Sequence, residues 1–419
     1  MKRNSYFFYL VLLVFFVISF LTNILGPLIP DLITSFSLSL TLAALLPFSF
    51  FIAYGVMSIP AGMLVERYHE KAAMVSAFVI ACAGALAFSL VPRFGVALPS
   101  LFAIGVGMAI LQVAINPLLR VAGGEEHFAF NSVLAQLVFG LASFLSPYVY
   151  TYLVTHLQSS ETSHGPLLST LASIVPSGLP WVSLYWVFVV VTLLMVLTLA
   201  ATRFPRVERK EDEKAGAWET HRALFGNRTV LLFFVGIFAY VGTEQGAANW
   251  MSQFLATYHG FDPQTVGASA VAWFWGMMTI GCLLGLFLLK LLDSRIVLRW
   301  FVGGAIVILT FALFGPGEVS RIAFPLLGFA ASVMWSVIFS LALNSVDRHH
   351  GSFSGILCTA IIGGAIVPLL IGWLGDRFGL RVGMCLLYVT LAYIFSIGLW
   401  AKPLIPNKTI SFGKKGGGQ

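Results

Sequence analysis

The 419-residue chain is 58% hydrophobic and only 10% charged, with a mean hydropathy of +0.92. An ordinary soluble domain is about 25% charged, so this composition excludes a soluble enzyme, a disordered tail and a nucleic-acid binder; the chain is solvated by lipid. The net charge of +7 is then read by position, because in a membrane protein it reports topology before partners.

A hydrocarbon core of roughly 30 Å needs about 20 apolar residues in helical form. Such runs lie at 6–30, 40–64, 72–91, 98–121, 128–155, 181–202, 229–257, 264–290, 296–314, 322–345, 353–374 and 382–401. They predict an all-α membrane protein of twelve transmembrane helices, spans 1 to 12. The first run follows Met1-Lys2-Arg3 as a signal peptide would, but it is too long and no small-residue cleavage site follows it, so it is read as span 1.

With the N-terminus in the cytoplasm, 20 of the 24 Lys and Arg residues fall on the cytoplasmic side. Only Arg93, Arg321, Arg377 and Arg381 are left outside. An off-by-one span count would destroy that bias, so both termini are expected in the cytoplasm and the chain in the cytoplasmic (inner) membrane.

The one sizeable cytoplasmic insertion, 203–228, is mixed in charge and able to form a surface helix. It divides the chain into a six-helix half at 1–202 and another at 229–402, with a disordered tail expected at 403–419. The outer loop at 157–180 reads as a solvated connector or short surface helix. A shift of 221 residues lays Asn23 on Glu244 and Pro147 on Pro368, in keeping with two repeated halves. Halves related by an axis along the membrane normal suit a midplane site opened to alternate sides.

Polar residues inside spans carry the chemistry. Asn23 lies in span 1, Gln112 and Asn116 in span 4, and Asn131 and Gln136 in span 5. Each amide costs free energy in lipid, so each is expected to face the bundle interior. Asn116 precedes Pro117 and competes for a second use, bonding backbone that the proline frees. Sixteen of the 17 acids fall in loops or near a span end, as Asp31 does after Pro30. Glu244 alone is deep in a span, where an ionised carboxylate needs a partner, a cation or a proton.

Glu244 has Gly242 and Gly246 beside it to thin the helix, and Gln245, Asn249, Trp250 and Gln253 to supply amides and a ring. A ring beside several amides suits a sugar, whose C–H face stacks while its hydroxyls bond in pairs. Interfacial anchoring and interhelical amide bonds are the competing use of the same residues. Trp335 and Asn344 in span 10 are lesser candidates.

Cys82, Cys282, Cys358 and Cys385 lie in apolar stretches with no metal-ligand spacing, so neither a disulfide nor a metal site is expected. Gly105-Val106-Gly107 and Gly363-Gly364 lack the lysine of a phosphate loop and predict close helix packing. No catalytic constellation or nucleotide-binding segment occurs, so no enzyme activity, cofactor or nucleic-acid partner is expected.

Taken together, these residues resemble the major facilitator superfamily. Its loop signature between spans 2 and 3 survives in degraded form from Gly62 through Glu66-Arg67 to Lys71. A closer likeness is to the fucose–galactose–glucose symporter family. It is carried by Pro60-Ala61-Gly62, Asn116-Pro117, Tyr240-Val241-Gly242-Thr243-Glu244, and Gly363-Gly364-Ala365 through Pro368 and Gly372 to Asp376.

The resemblance implies a monomeric sugar symporter coupled to H⁺ or Na⁺. Two positions depart from it: Gln112 and Gly26 stand where the fucose permease pattern has carboxylates. Coupling is then left to Glu244, or the chain is a uniporter. An exporter of amphipathic molecules is the alternative that the 37 Phe and 11 Met leave open.

Overall fold

Lipid offers the backbone no hydrogen-bond partner, so each crossing segment must satisfy its own N–H and C=O groups. The computed structural model describes residues 5–123, 128–158, 165–204, 218–346 and 349–404, and it builds them as helices joined by short turns. Eleven of these helices are long and apolar enough to cross a bilayer.

One of the eleven, Leu40–Leu90, has 51 residues, about 75 Å at the helical rise and more than twice the hydrocarbon thickness. His69 interrupts it with φ 66° and ψ 158°, dividing it into spans 2 and 3. Read as two crossings, it brings the eleven runs to the expected twelve.

The other crossings follow the predicted order. Span 1 is Tyr6–Phe36, span 4 lies within Phe94–Gly123, span 5 is Phe128–Gln158 and span 6 is Val182–Ala201. Spans 7 to 12 are Arg228–His259, Pro263–Leu291, Ser294–Phe314, Gly317–Leu343, Gly351–Phe378 and Leu380–Trp400. Short helices form in the two long connections, Pro166–Ile174 between spans 5 and 6 and Trp218–Phe225 in the central loop. The rest of the central loop, 205–217, and most of the predicted tail lie outside the described residues.

Buried apolar side chains gather into two cores, one for each half. Phe50, Phe78, Phe88, Trp181 and Tyr185 anchor the first, and Phe233, Trp250, Phe254 and Phe274 the second. A few residues reach across: Ala268 and Ala365 join the first core, while Ile29, Ala43 and Ala44 join the second. Facing lipid instead are exposed rows such as Val190, Leu193, Leu194 and Leu197 on span 6. Lys71, which ends the loop signature, donates to the carbonyls of Ala200 at 2.7 Å and Thr202 at 2.8 Å. It thereby caps the C-terminal end of span 6 with a cation.

Span 7 packs on span 1 of the other half at a point where only glycine fits. A Cβ on Gly26 would lie 2.3 Å from the Ala248 carbonyl oxygen. Gly363 meets span 7 in the same way, 2.0 Å from the Phe238 oxygen, in line with the close packing predicted for the Gly363-Gly364 pair. Three spans also break near mid-membrane. Span 1 turns at Asn23–Ile24, span 10 at Ser332–Val333, and span 11 passes through a 3₁₀ turn at Ala360–Ile362. Irregular backbone at this depth is tolerated where protein or a water-filled space surrounds it.

Candidate functional site

Glu244 lies midway along span 7, and its two carboxylate oxygens have separate partners. Oε2 accepts the Tyr240 hydroxyl at 2.5 Å and Oε1 accepts the Gln245 side-chain amide at 3.0 Å. The Asn249 amide extends the chain by donating to Gln245 Oε1 at 3.4 Å. The order follows from helix geometry, since Tyr240 and Glu244, like Gln245 and Asn249, are four residues apart on adjoining faces. Trp335 of span 10 closes the group, its ring 6.0 Å from that of Tyr240 and stacked on Phe339 at 5.7 Å.

Tyr240, Gln245 and Asn249 are buried, but Glu244 keeps partial accessibility. The exposed residue Val235 marks the outward face of span 7. It is nine residues from Glu244, about two and a half helical turns, which puts Glu244 on the opposite face. The accessible edge of the carboxylate therefore points into the bundle. The same reasoning holds for Gln136. It is exposed, yet it lies nine residues from Leu145 and opposite the outward row Leu141, Leu145, Tyr148 and Tyr152.

The group sits where the two halves meet. A Cβ on Gly364 of span 11 would lie 3.1 Å from both Gln245 and the Phe51 ring of span 2. Gly242 lies against Val367, and Gly246 against Leu387 and Ile371. The glycines flanking Glu244 thus let spans 11 and 12 approach span 7.

Other residues singled out in the sequence are used differently. Asn23 is buried and donates to Ser143 Oγ at 2.8 Å, tying the break in span 1 to span 5. Trp250 is not a free ring: it is wholly buried and donates to the Pro368 carbonyl at 3.1 Å. It packs the second core in place of presenting a face to a solute. Gln253 is half-buried and bonds Thr257 at 3.1 Å, nine residues beyond Glu244 and about 14 Å along the helix.

Asn344 ends span 10, bonding Ser340 at 3.4 Å and accepting the Leu404 N–H at 2.7 Å. It is nine residues from Trp335, so the two do not share one site. Gln112 is half-buried on span 4, and the Asn116 side chain lies outside the described residues. The four cysteines are free thiols. Among the described residues no three His, Cys, Asp or Glu side chains come together as a metal site would need.

Tyr240 was quoted in the sequence only as part of a motif. Its spacing of four residues from Glu244 on a helix was the available signal that it would hold the carboxylate.

The family model for the Major Facilitator Superfamily matches residues 11–361. The chain belongs to the Major Facilitator Superfamily. Members of this superfamily are transporters, so the chain is a multi-pass membrane transporter and not an enzyme. A relative in Brucella abortus biovar 1 (strain 9-941), named glucose/galactose transporter, is 32% identical over 392 residues, 92% of each chain. The L-fucose-proton symporter of Escherichia coli (strain K12) is 24% identical over 398 residues, 89% of this chain and 87% of that one.

Among solved structures, the E. coli fucose:proton symporter superposes with a TM-score of 0.68 at 23% identity, covering 94% of this superfamily member and 98% of that chain. A bacterial homologue of the lysosomal transporter Spinster, inward-facing and unoccupied, gives 0.69 at 16% identity over 95% and 98%. At these identities the superpositions speak for the fold.

Proposed function

We propose that this carrier imports a neutral hexose or related sugar across the cytoplasmic membrane by alternating access, coupled to a cation through Glu244, with both termini in the cytoplasm. The observation that carries the reading is the chain of side chains from Tyr240 through Glu244 and Gln245 to Asn249, an accessible carboxylate among amides beside the Trp335 ring. The amides and the tyrosine offer the paired donors and acceptors that sugar hydroxyls need, and Trp335 offers a ring face. Gln112 and Gln136 are the residues of the first half proposed to face the same solute. The relatives named for glucose, galactose and fucose transport support this substrate class.

A proton is the coupling ion we favour over sodium. Its arrival on Glu244 needs only a reversal of the hydrogen bond with Tyr240, whereas a sodium ion needs a shell of several oxygens. All of these residues come from one chain, so a monomer suffices. Uniport is the second reading. It is favoured by Gly26 and Gln112, which put no carboxylate at the two positions of the first half where the fucose permease pattern has one.

Uptake of labelled glucose, galactose and fucose into proteoliposomes, under a pH gradient and a sodium gradient imposed separately, tests the reading. Concentrative uptake under the pH gradient is expected. In the same vesicles, Glu244→Gln should keep counterflow exchange and lose gradient-driven accumulation. Accumulation unchanged in that variant would remove Glu244 from coupling; counterflow without any gradient response in the parent protein would make it a uniporter.

A further inference from the structure

We propose that Asp31 and Asp376 are positioning residues for transport: two carboxylate clasps on opposite flanks of the outer rim, which join the two halves and hold the carrier closed to the outside. The proposal rests on the alternating-access reading but not on the identity of the solute.

On the first flank, Asp376 ends span 11 in the C-terminal half and faces the start of span 2 in the N-terminal half. Its Oδ1 accepts the Leu40 N–H at 2.8 Å, and its Oδ2 accepts the Thr41 N–H at 2.8 Å and the Thr41 hydroxyl at 2.5 Å. The first N–H groups of a helix have no partner within it and are usually capped by the residue just before. Here Ser39 takes only the Leu42 N–H, at 3.3 Å. The remaining work passes to a carboxylate from the other half, whose charge also suits the positive end of the helix dipole.

On the second flank, Asp31 of span 1 accepts the Tyr150 hydroxyl from span 5 of its own half and the Gln264 amide from the start of span 8 in the other half, the latter at 3.0 Å. Thr151 of span 5 adds a bond to the Gln264 carbonyl at 2.7 Å. The two flanks are versions of one design, because each joins the first turn of one half's second span to the fifth span of the other half. The register of 221 residues that relates the halves places Thr155 opposite Asp376.

All of these bonds lie at the end of the bundle that the charge bias assigns to the outside. Rocking that opens this end separates Asp376 from Leu40 and Thr41, and Asp31 from Gln264, while rocking that opens the other end leaves them together. Their interaction therefore favours one conformation alone, which is the condition for shifting an equilibrium. Sequence reading passed over both acids, since a span-end position carries no sign of a partner more than two hundred residues away.

The test is distance measurement between spin labels in the full-length protein, with the four native cysteines replaced. One pair, at Ser173 and Glu318, reports the outer ends of the two halves; a second pair, at Tyr68 and Lys290, reports the cytoplasmic ends. Asp376→Ala and Asp31→Ala should each raise the population with a long outer distance by about tenfold, in line with loss of charge-assisted hydrogen bonds. They should at the same time shorten the inner distance. That reciprocal change at the far end is one a local structural role would not produce.

Thr41→Val and Gln264→Leu remove donors and leave both acids in place, so they carry the test if an alanine variant does not fold. Unchanged distances at both ends in folded variants would overturn the proposal. No solute is needed for the measurement, so a failure of the sugar reading would show in uptake and leave the distances untouched.

Discussion

Tyr240 is the residue on which the Glu244 carboxylate most directly depends. Phenylalanine there would keep the ring against Trp335 and remove the hydroxyl that reaches Oε2 at 2.5 Å. A hydrogen bond to a charged group is worth about 1.5–3 kcal/mol, so Tyr240→Phe is expected to lower kcat/KM for gradient-driven uptake about tenfold or more. Uptake kinetics in vesicles would show it, and parent-like kinetics would mean that the bond forms only in the closed state.

At this scale the sequence was partly legible. Glu244 stood out because a carboxylate deep in an apolar run needs a partner, a cation or a proton, whether its use is structural or functional, and its flanking amides followed from spacing along the helix. The use of each polar side chain did not follow, because the Asn23 amide is spent on Ser143 and the Trp250 indole on Pro368, partners 120 and 118 residues away. Nothing in local spacing encodes such distances.

Among the elements, the start of span 1's outer part shows how a single missing side chain can set packing. Gly26 occupies a position where the fucose permease pattern has an acid, and a Cβ there would strike the Ala248 carbonyl at 2.3 Å. Gly26→Asp is therefore expected to hold spans 1 and 7 apart and to lose accumulation without gaining coupling. Restored or faster gradient-driven uptake in that variant would show that the close approach is dispensable.

A second element is capped from its own sequence. Asp293 precedes span 9, accepts the Arg295 N–H at 2.8 Å and binds its guanidinium through two bonds of 3.0 Å. The hydrogen-bonded guanidinium holds the Asp293 carboxyl below its usual range. A carboxylate lowered in this way adds stability that is present above its unfolded pKa of about 3.9 and is lost as pH falls through the folded value. The side chains of the pair are 38% and 30% exposed, so solvent screening holds the contribution to about 1 kcal/mol or less. Asp293→Asn should lower the unfolding midpoint slightly at pH 7, with the difference closing below about pH 4; a gap that persists in acid would assign the effect to the cap alone.

The helices themselves were readable from apolar run length, since lipid permits little else. The break at Asn23–Ile24 has a signal in the sequence, because Pro27 has no N–H to return to the Asn23 carbonyl four residues earlier and its ring crowds that carbonyl. The break at Ser332–Val333 has none, since no proline follows it within a turn.

For the whole molecule, the sequence offered a six-plus-six division in the central loop and in the register of 221 residues, and the buried side chains gather into two cores that share a few residues. What the halves do to one another was hidden, because every contact between them joins residues far apart in sequence. The outer rim is the clearest case, and it bears on speed. Its clasps are hydrogen bonds at the edge of the bundle, where water can take the place of each partner as it leaves. Net costs of such exchanges, with a carboxylate as acceptor, run to about 1.5–3 kcal/mol per bond. A seal made this way is tight when formed yet quick to part, so opening toward the outside is not expected to be the slow step of a cycle. The pace would then be set deeper in the bundle, where Glu244 must change its bond to Tyr240 with less water at hand to help.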